Sequence, residues 1–284
     1  MKKLLLIVPP IAALLAYLTI VLLYYAFQRH IVFVPGPNNG MTPQKYGLTQ
    51  YQDVKFKNPE GQILDAWWIH HKDGKTHPAL LYCHGNGANL SLLSEVSKLF
   101  YDFGFDALIF DYRAYGDSEG VKSDLSEKAV DEDAMAAFQW LKAKGINEHS
   151  IIIWGHSLGS SVAAELATQT HPAGLILEGA FPSVYAVSRY RYPWLMIFPF
   201  MIHDKFETIN YVKERTCPLL EFHGENDTII PFSLGQQVYQ AAVDPKQWIA
   251  IPKMNHMDFP SLAMQYRKPI MDWVEKCEET VKTN

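Results

Sequence analysis

The chain of 284 residues is 48% hydrophobic and 19% charged, too apolar for a disordered protein and long enough to bury a sizeable core. Its net charge is −5; residues 1–30 hold Lys2, Lys3 and Arg29 and no acid, so residues 31–284 carry 22 basic against 30 acidic side chains, a net of −8. That balance excludes the basic face a nucleic-acid partner requires, and the three dispersed cysteines, Cys83, Cys217 and Cys277, indicate neither a disulfide framework nor a zinc site.

Leu4 through Phe27 is 24 residues without a charge. As a helix it reaches roughly 36 Å, enough for a hydrocarbon core of about 30 Å. Residues 1–30 are therefore read as an N-terminal anchor in the lipid bilayer through residues 4–27, with Tyr24, Tyr25 and Phe27 at an interfacial aromatic belt. A cleaved signal peptide is the alternative; its apolar region is shorter and ends at a small-x-small site. Orientation rests on Lys2 and Lys3 against Arg29 and Lys45, which places the amino terminus inside and the bulk of the chain outside the cytoplasm.

Residues 31–49, with Pro35-Gly36-Pro37-Asn38-Asn39-Gly40, read as a linker, and residues 50–284 as one domain. Strands are expected at 53–57, 64–70, 79–83, 107–111, 151–154, 174–178, 219–223 and 248–251. Helices are expected at 90–103, 125–143, 158–170, 233–242 and 261–279. The first two strands form a hairpin; from Ala79 strands and helices alternate. The fold class is α/β: a mostly parallel, eight-stranded, doubly wound sheet. About 40 residues separate Glu178 from Leu219, too many for an ordinary connection, so a small cap is expected at about 181–213. Its nine aromatic residues are either the cap's own core or the lining of an apolar ligand site.

Gly155-His156-Ser157-Leu158-Gly159 lies between a strand and an Ala-rich helix, the context in which G-x-S-x-G forms a strained turn that exposes its serine. A serine hydroxyl needs a base oriented by a carboxylate. Asp227 follows one later strand and His256 the last one, giving the chain order nucleophile, acid, base. Glu178 is the alternative acid, with Glu225 and Asp258 as neighbouring choices. The turn after the strand at 79–83 contains His84-Gly85-Asn86-Gly87, and the oxyanion hole is assigned to the backbone amides of Asn86 and Leu158. The His84 and Asn86 side chains either shape this loop or serve the site directly. Asp111 and Arg113 are expected to pair beneath the site as a buttress.

Taken together, H-G-N-G, D-Y-R-A-Y-G-x-S-x-G, G-H-S-L-G, H-G-x-x-D-x-x-x-P and N-H resemble the α/β-hydrolase superfamily over nearly all of residues 50–279. With the anchor and the Arg29–Pro35 stretch, the chain looks most like the membrane-anchored Bem-type branch that includes the eukaryotic α/β-hydrolase domain-containing proteins 13 and 17. The resemblance implies a serine hydrolase without cofactor or metal, acting on acyl esters or thioesters as a carboxylesterase, thioesterase or lipase. Related enzymes depalmitoylate proteins or cleave lysophospholipids, monoacylglycerols or peptides. Two positions depart from the pattern: Ala114 and Asn255 stand where glycine is usual. An aminopeptidase-like amide hydrolase and a catalytically silent, membrane-tethered binding module are the rival readings.

Overall fold

A computed structural model describes the backbone of residues 2–195 and 197–283 and the side chains of residues 9–195 and 197–280. The apolar runs of the sequence become eight strands: β1 (Tyr51–Lys57), β2 (Ile63–Ile69), β3 (Ala79–Cys83), β4 (Asp106–Phe110), β5 (Ile151–His156), β6 (Gly174–Glu178), β7 (Leu219–Gly224) and β8 (Lys246–Ile251). They form one sheet in the order β1-β2-β4-β3-β5-β6-β7-β8. Only β2 runs against its neighbours, β1 and β4; all other pairs are parallel. Strands β3, β5, β6 and β7 are buried along their whole length, because helices cover both faces and leave no side for polar alternation.

Two apolar layers result. On one face Leu81, Ile153 and Leu177 meet α3 (Glu127–Ala143), α4 (Leu158–Gln169), α6 (Thr208–Glu214) and α7 (Phe232–Ala241). On the other, Leu80, Ile152 and Trp154 meet α2 (Ser94–Phe103) and α8 (Phe259–Thr283). The expected elements lie within a few residues of these bounds. The helix anticipated from residue 90 starts as a 3₁₀ turn, Leu90–Leu93, and the one anticipated from residue 125 starts at Glu127, because the Ser126 side chain accepts the Ala129 amide as its N-cap.

The segment between β6 and β7 contains α5 (Val184–Arg191), a short turn at Pro199–Met201 and α6. Its aromatic residues divide. Phe181 and Phe206 are buried, whereas Tyr190, Trp194, Phe198 and Phe200 are exposed.

The N-terminal helix α1 (Lys2–Val32) holds one stretch, Pro9–Val32, long and apolar enough to cross a membrane. It continues past residue 30 until Pro35 forbids another turn, and the Phe33 amide still bonds back to the Arg29 carbonyl at 2.8 Å. Its last turns are fastened to the segment between α5 and α6. Gln28, buried at the end of the apolar run, donates to the Met201 carbonyl (2.8 Å) and accepts the His203 amide (2.8 Å), and Arg29 pairs with Asp204 at 2.7 Å. The residues after α1 also follow the domain surface: Phe33 is buried against Phe206, the Val34 amide donates to Asn86 Oδ1 (2.7 Å), and Asn89 Nδ2 donates to the Gly36 carbonyl (2.9 Å).

Ala114, one of the two departures from the sequence pattern, sits at φ 60° in the turn after β4. A Cβ in the left-handed region costs about 1–2 kcal/mol, while glycine adds about 0.4–1 kcal/mol of unfolded-chain entropy. Ala114→Gly is therefore expected to stabilise the fold by about 0.5–1 kcal/mol in urea unfolding, read as a higher midpoint at unchanged slope; a lower midpoint would show that the turn holds alanine without strain.

Candidate active site

β5 and α4 share no intervening loop: Ser157 alone turns the chain, with φ 53° and ψ −119°. Such a turn is possible only where neighbouring backbones approach closely. A Cβ on Gly155 would lie 2.2 Å from the Gly159 carbonyl oxygen, and one on Gly159 would lie 2.0 Å from that of Cys83, so both positions require glycine. The Ser157 amide donates to the Glu178 carbonyl at 2.9 Å, holding the turn against the end of β6.

The sheet order brings Ser157, Asp227 and His256 together from the ends of β5, β7 and β8. Ser157 Oγ lies 2.9 Å from His256 Nε2, and His256 Nδ1 lies 2.6 Å from Asp227 Oδ2. With Nδ1–H donating to the carboxylate, Nε2 is left to accept the serine proton. Asp227 Oδ1 accepts the amides of Ile229 (2.9 Å) and Ile230 (2.8 Å). Burial by itself would raise the Asp227 carboxyl, but hydrogen bonding to His223 and His256 and the Ile230 amide outweighs it and holds the group well below the usual carboxylate range. A carboxylate so held stays charged beside the imidazole.

The other expected residues fall into place differently. The Asn86 and Leu158 backbone amides have no protein acceptor among the described residues, and Leu158 is the first residue of α4, where the helix dipole favours negative charge. The Asn86 side chain is committed elsewhere, accepting from the Val34 amide and from the Tyr115 hydroxyl (3.2 Å). Gly85 abuts the site directly: a Cβ there would lie 2.9 Å from His156 Nδ1 and 3.1 Å from Ser157 Cβ. His84 is wholly buried, bonded to the Gly85 carbonyl at 2.9 Å, and burial pushes its imidazole down to about 4, so it is neutral.

Asp111 and Arg113 do not pair. Arg113 turns away to α3, where Asp133 takes both its amide (2.8 Å) and its guanidinium (2.8 Å), with Glu60 at 3.1 Å. Asp111 instead accepts the Leu90 amide (2.9 Å) and lies 3.5 Å from His84 Nε2. Neither Glu178 nor the carboxylates beside Asp227 hold the His256 ring. Glu178 accepts from Trp154 Nε1 at 3.1 Å and faces His156 Nε2 at 3.9 Å, and burial raises its carboxyl to about 8. Asp258 accepts the Asn255 amide.

Three contributions were not anticipated. Asn255 Oδ1 accepts the Thr228 amide (3.0 Å) and the His256 amide (2.8 Å), stapling the loop of the acid to the loop of the histidine, which glycine would leave unlinked. His223 stands 3.3 Å from Asp227 Oδ2 behind the site. The third is α1: a cavity of about 500 Å³ over Ser157 and His256 is bounded by Tyr24, Ile31 and Val32 of α1 as well as by Phe181, Val184 and Ile230. A charge-free run such as Leu4–Phe27 gives no sign in sequence of which face packs on protein.

Residues 74–209 match the family model described as serine aminopeptidase, S33. Among curated proteins, an uncharacterised protein of Mycobacterium tuberculosis is 31% identical over 253 residues, 88% of each chain. Lysophosphatidylserine lipase ABHD12 of Danio rerio is 34% identical over 206 residues, 66% of this chain and 53% of its own; that of Rattus norvegicus is 33% identical over 225 residues, 72% and 53%. The chain thus spans about half the length of these lipases. Among solved structures, an esterase of Pyrococcus furiosus superposes with a TM-score of 0.68 at 19% identity, covering 86% of this chain and 97% of that one. An alpha-beta hydrolase of Vibrio vulnificus gives 0.66 at 23%, covering 81% and 82%. With the sheet order and the strand-to-helix turn at Ser157, these likenesses establish that the chain belongs to the α/β-hydrolase superfamily.

Proposed function

We propose that the protein is a membrane-anchored serine hydrolase that cleaves carboxylic esters or thioesters of lipophilic acyl groups. The observation that carries this reading is the unbroken hydrogen-bonded line from Ser157 Oγ through the His256 ring to Asp227 at the floor of a largely apolar cavity. Ser157 attacks the acyl carbonyl as His256 takes its proton. Asp227 holds the imidazole in the tautomer that can accept it, and the amides of Asn86 and Leu158 donate to the oxyanion of the tetrahedral intermediate. His256 returns the proton to the leaving alcohol or thiol. Water then attacks the acyl-enzyme, with His256 again as base. Apart from that water and the substrate, every group these steps use is a side chain or amide of the chain itself.

Substrate class is supported by the cavity's walls, where apolar surface withdrawn from water is worth about 25 cal/mol per Å². It is supported also by likeness to lysophosphatidylserine lipases, which favours a monoacyl lipid ester over a peptide. α1 supplies the anchor in this reading, with Lys2 and Lys3 on the cytoplasmic side and the domain outside. The family model's description as an aminopeptidase favours a second reading, amide cleavage at the same serine.

A fluorophosphonate probe is expected to label the full chain in detergent, and Ser157→Ala to abolish the label; an unlabelled parent would sink the enzyme reading. In a series of acyl esters, kcat/KM is expected to rise at least about tenfold from two-carbon to twelve-carbon chains, since each buried CH₂ contributes up to about 0.8 kcal/mol. Preference for the two-carbon ester removes the lipid assignment, and faster turnover of aminoacyl amides selects the second reading.

Asp227→Asn is expected to lower kcat/KM by on the order of 10⁴, by analogy with the buried acid of serine proteases. Glu178→Gln, which still accepts the Trp154 indole proton, is expected to stay within about threefold. The same Glu178→Gln change should alter the pH dependence of stability. The folded protein keeps the Glu178 proton up to about 8 while the unfolded chain releases it near 4.5, so this group's burial costs more as pH rises between those values. The Tm of Glu178→Gln relative to the parent is therefore expected to increase from pH 5 to pH 8; a constant difference would mean that Glu178 is not held neutral.

A further inference from the structure

On α1, Tyr17, Val21, Tyr24 and Gln28 are spaced i, i+4, i+7 and i+11, one face of a helix, and they are the positions between residues 11 and 30 that are withdrawn from exposure. The three apolar ones pack against the cluster that contains Leu195, Ile197 and Ile202. The Tyr17 hydroxyl stands 3.5 Å from the Trp194 carbonyl, and the Tyr24 hydroxyl is bonded to Ser188 Oγ at 2.7 Å. The cap therefore lies along α1 from Gln28 back to Tyr17, roughly 16 Å of helix.

That overlap conflicts with a domain standing clear of the bilayer. Crossing about 30 Å of hydrocarbon takes about 20 helical residues. Between Lys3 and Tyr17 stand Leu4–Ala16, 13 residues and about 20 Å. The missing 10 Å or so comes from the part of α1 that the cap covers, and any tilt of the helix enlarges the shortfall. Whatever packs on that part shares its depth. The cap edge is composed for such a place: Tyr192–Ile202 contains no charged residue, Phe200 is 81% and Trp194 59% exposed, exposed Arg191 adjoins the run, and the Arg189 guanidinium donates to the Leu195 carbonyl at 3.1 Å.

We infer that the cap edge Tyr192–Ile202 is embedded in the bilayer beside α1, and that the acyl chain reaches Ser157 sideways from that leaflet. The route runs between Tyr24 and Ile31 of α1 and Val187 and Arg191 of α5, which together bound the cavity over the serine. Arg191 is placed to meet the headgroup of a lipid whose chain has entered. The inference rests on the proposed reading of α1 as a membrane span.

The test uses the full chain in phosphatidylcholine/phosphatidylglycerol vesicles, with a fluorophore on a cysteine introduced by Phe200→Cys, Leu15→Cys or Lys75→Cys. The three native cysteines are buried. Lys75 lies before β3, at the sheet edge opposite Ser157, and Leu15 lies on the exposed face of α1. The labels at positions 200 and 15 are expected to be quenched by brominated acyl chains and shielded from aqueous iodide, and the label at 75 to show the reverse. A position-200 label as open to iodide as that at 75, with 15 still shielded, overturns cap embedding and leaves the anchor standing. If 15 is open to iodide as well, the membrane reading fails and this inference with it.

Activity supplies an independent readout. Trp194→Asp combined with Phe200→Asp is expected to lower hydrolysis of a vesicle-borne long-chain monoacyl ester at least tenfold, while fluorophosphonate labelling of Ser157 in detergent stays within twofold. Equal loss in both assays, or loss in neither, counts against lateral entry.

Discussion

The site depends on one backbone constraint, the turn of a single residue between β5 and α4. At Ser157 the chain leaves a strand and enters a helix with φ in the left-handed region, a conformation that a side-chain-bearing residue adopts only under compulsion. The compulsion comes from all sides. Cys83 and His84 at the end of β3 press on Gly159, Gly155 admits the first turn of α4, and the end of β6 accepts the Ser157 amide. β3, β5 and β6 must therefore be adjacent and parallel, with their carboxyl ends level, before the serine can occupy its position. Burial of these strands on both faces supplies the stability that the turn draws on.

Around that point polar groups serve mostly to fix loops. Asn255 links the acid loop to the histidine loop, Asn86 links the Gly85–Gly87 turn to the chain after α1, and Asp133 fixes Arg113 at the end of β4. Each of these side chains has its partners, and each joins segments far apart in sequence. The groups proposed for chemistry are the ones left with spare capacity: the Ser157 hydroxyl facing a ring nitrogen, and two amides without an acceptor among the described residues.

The sheet and the site were legible in the sequence to different degrees, for identifiable reasons. Runs such as Ala79–Cys83 announce strands because nothing but a two-sided cover tolerates them, and Gly-His-Ser-Leu-Gly announces the turn because its glycines are sterically required. The expected Asp111–Arg113 pair failed because nearness in sequence says little once a strand has ended; the guanidinium found a better partner on α3. Asn255 and Ala114 were visible as departures, but only the folded chain gives them content, the first as a staple and the second as a strained turn. The buried face of α1 was not legible at all, since residues suited to lipid are equally suited to a protein wall.

The contacts just beyond α1 carry a practical corollary. Val34 is bonded to Asn86, and the backbone at Gly36 comes so near Gly87 that a Cβ there would fall 1.9 Å from its carbonyl oxygen. Helix, connecting chain and the turn that presents the Asn86 amide thus form one taut assembly with no slack between them. Removing α1 would leave a new terminus against that turn and strip one wall from the cavity, so the apolar helix and the folded domain are not separable parts of this molecule.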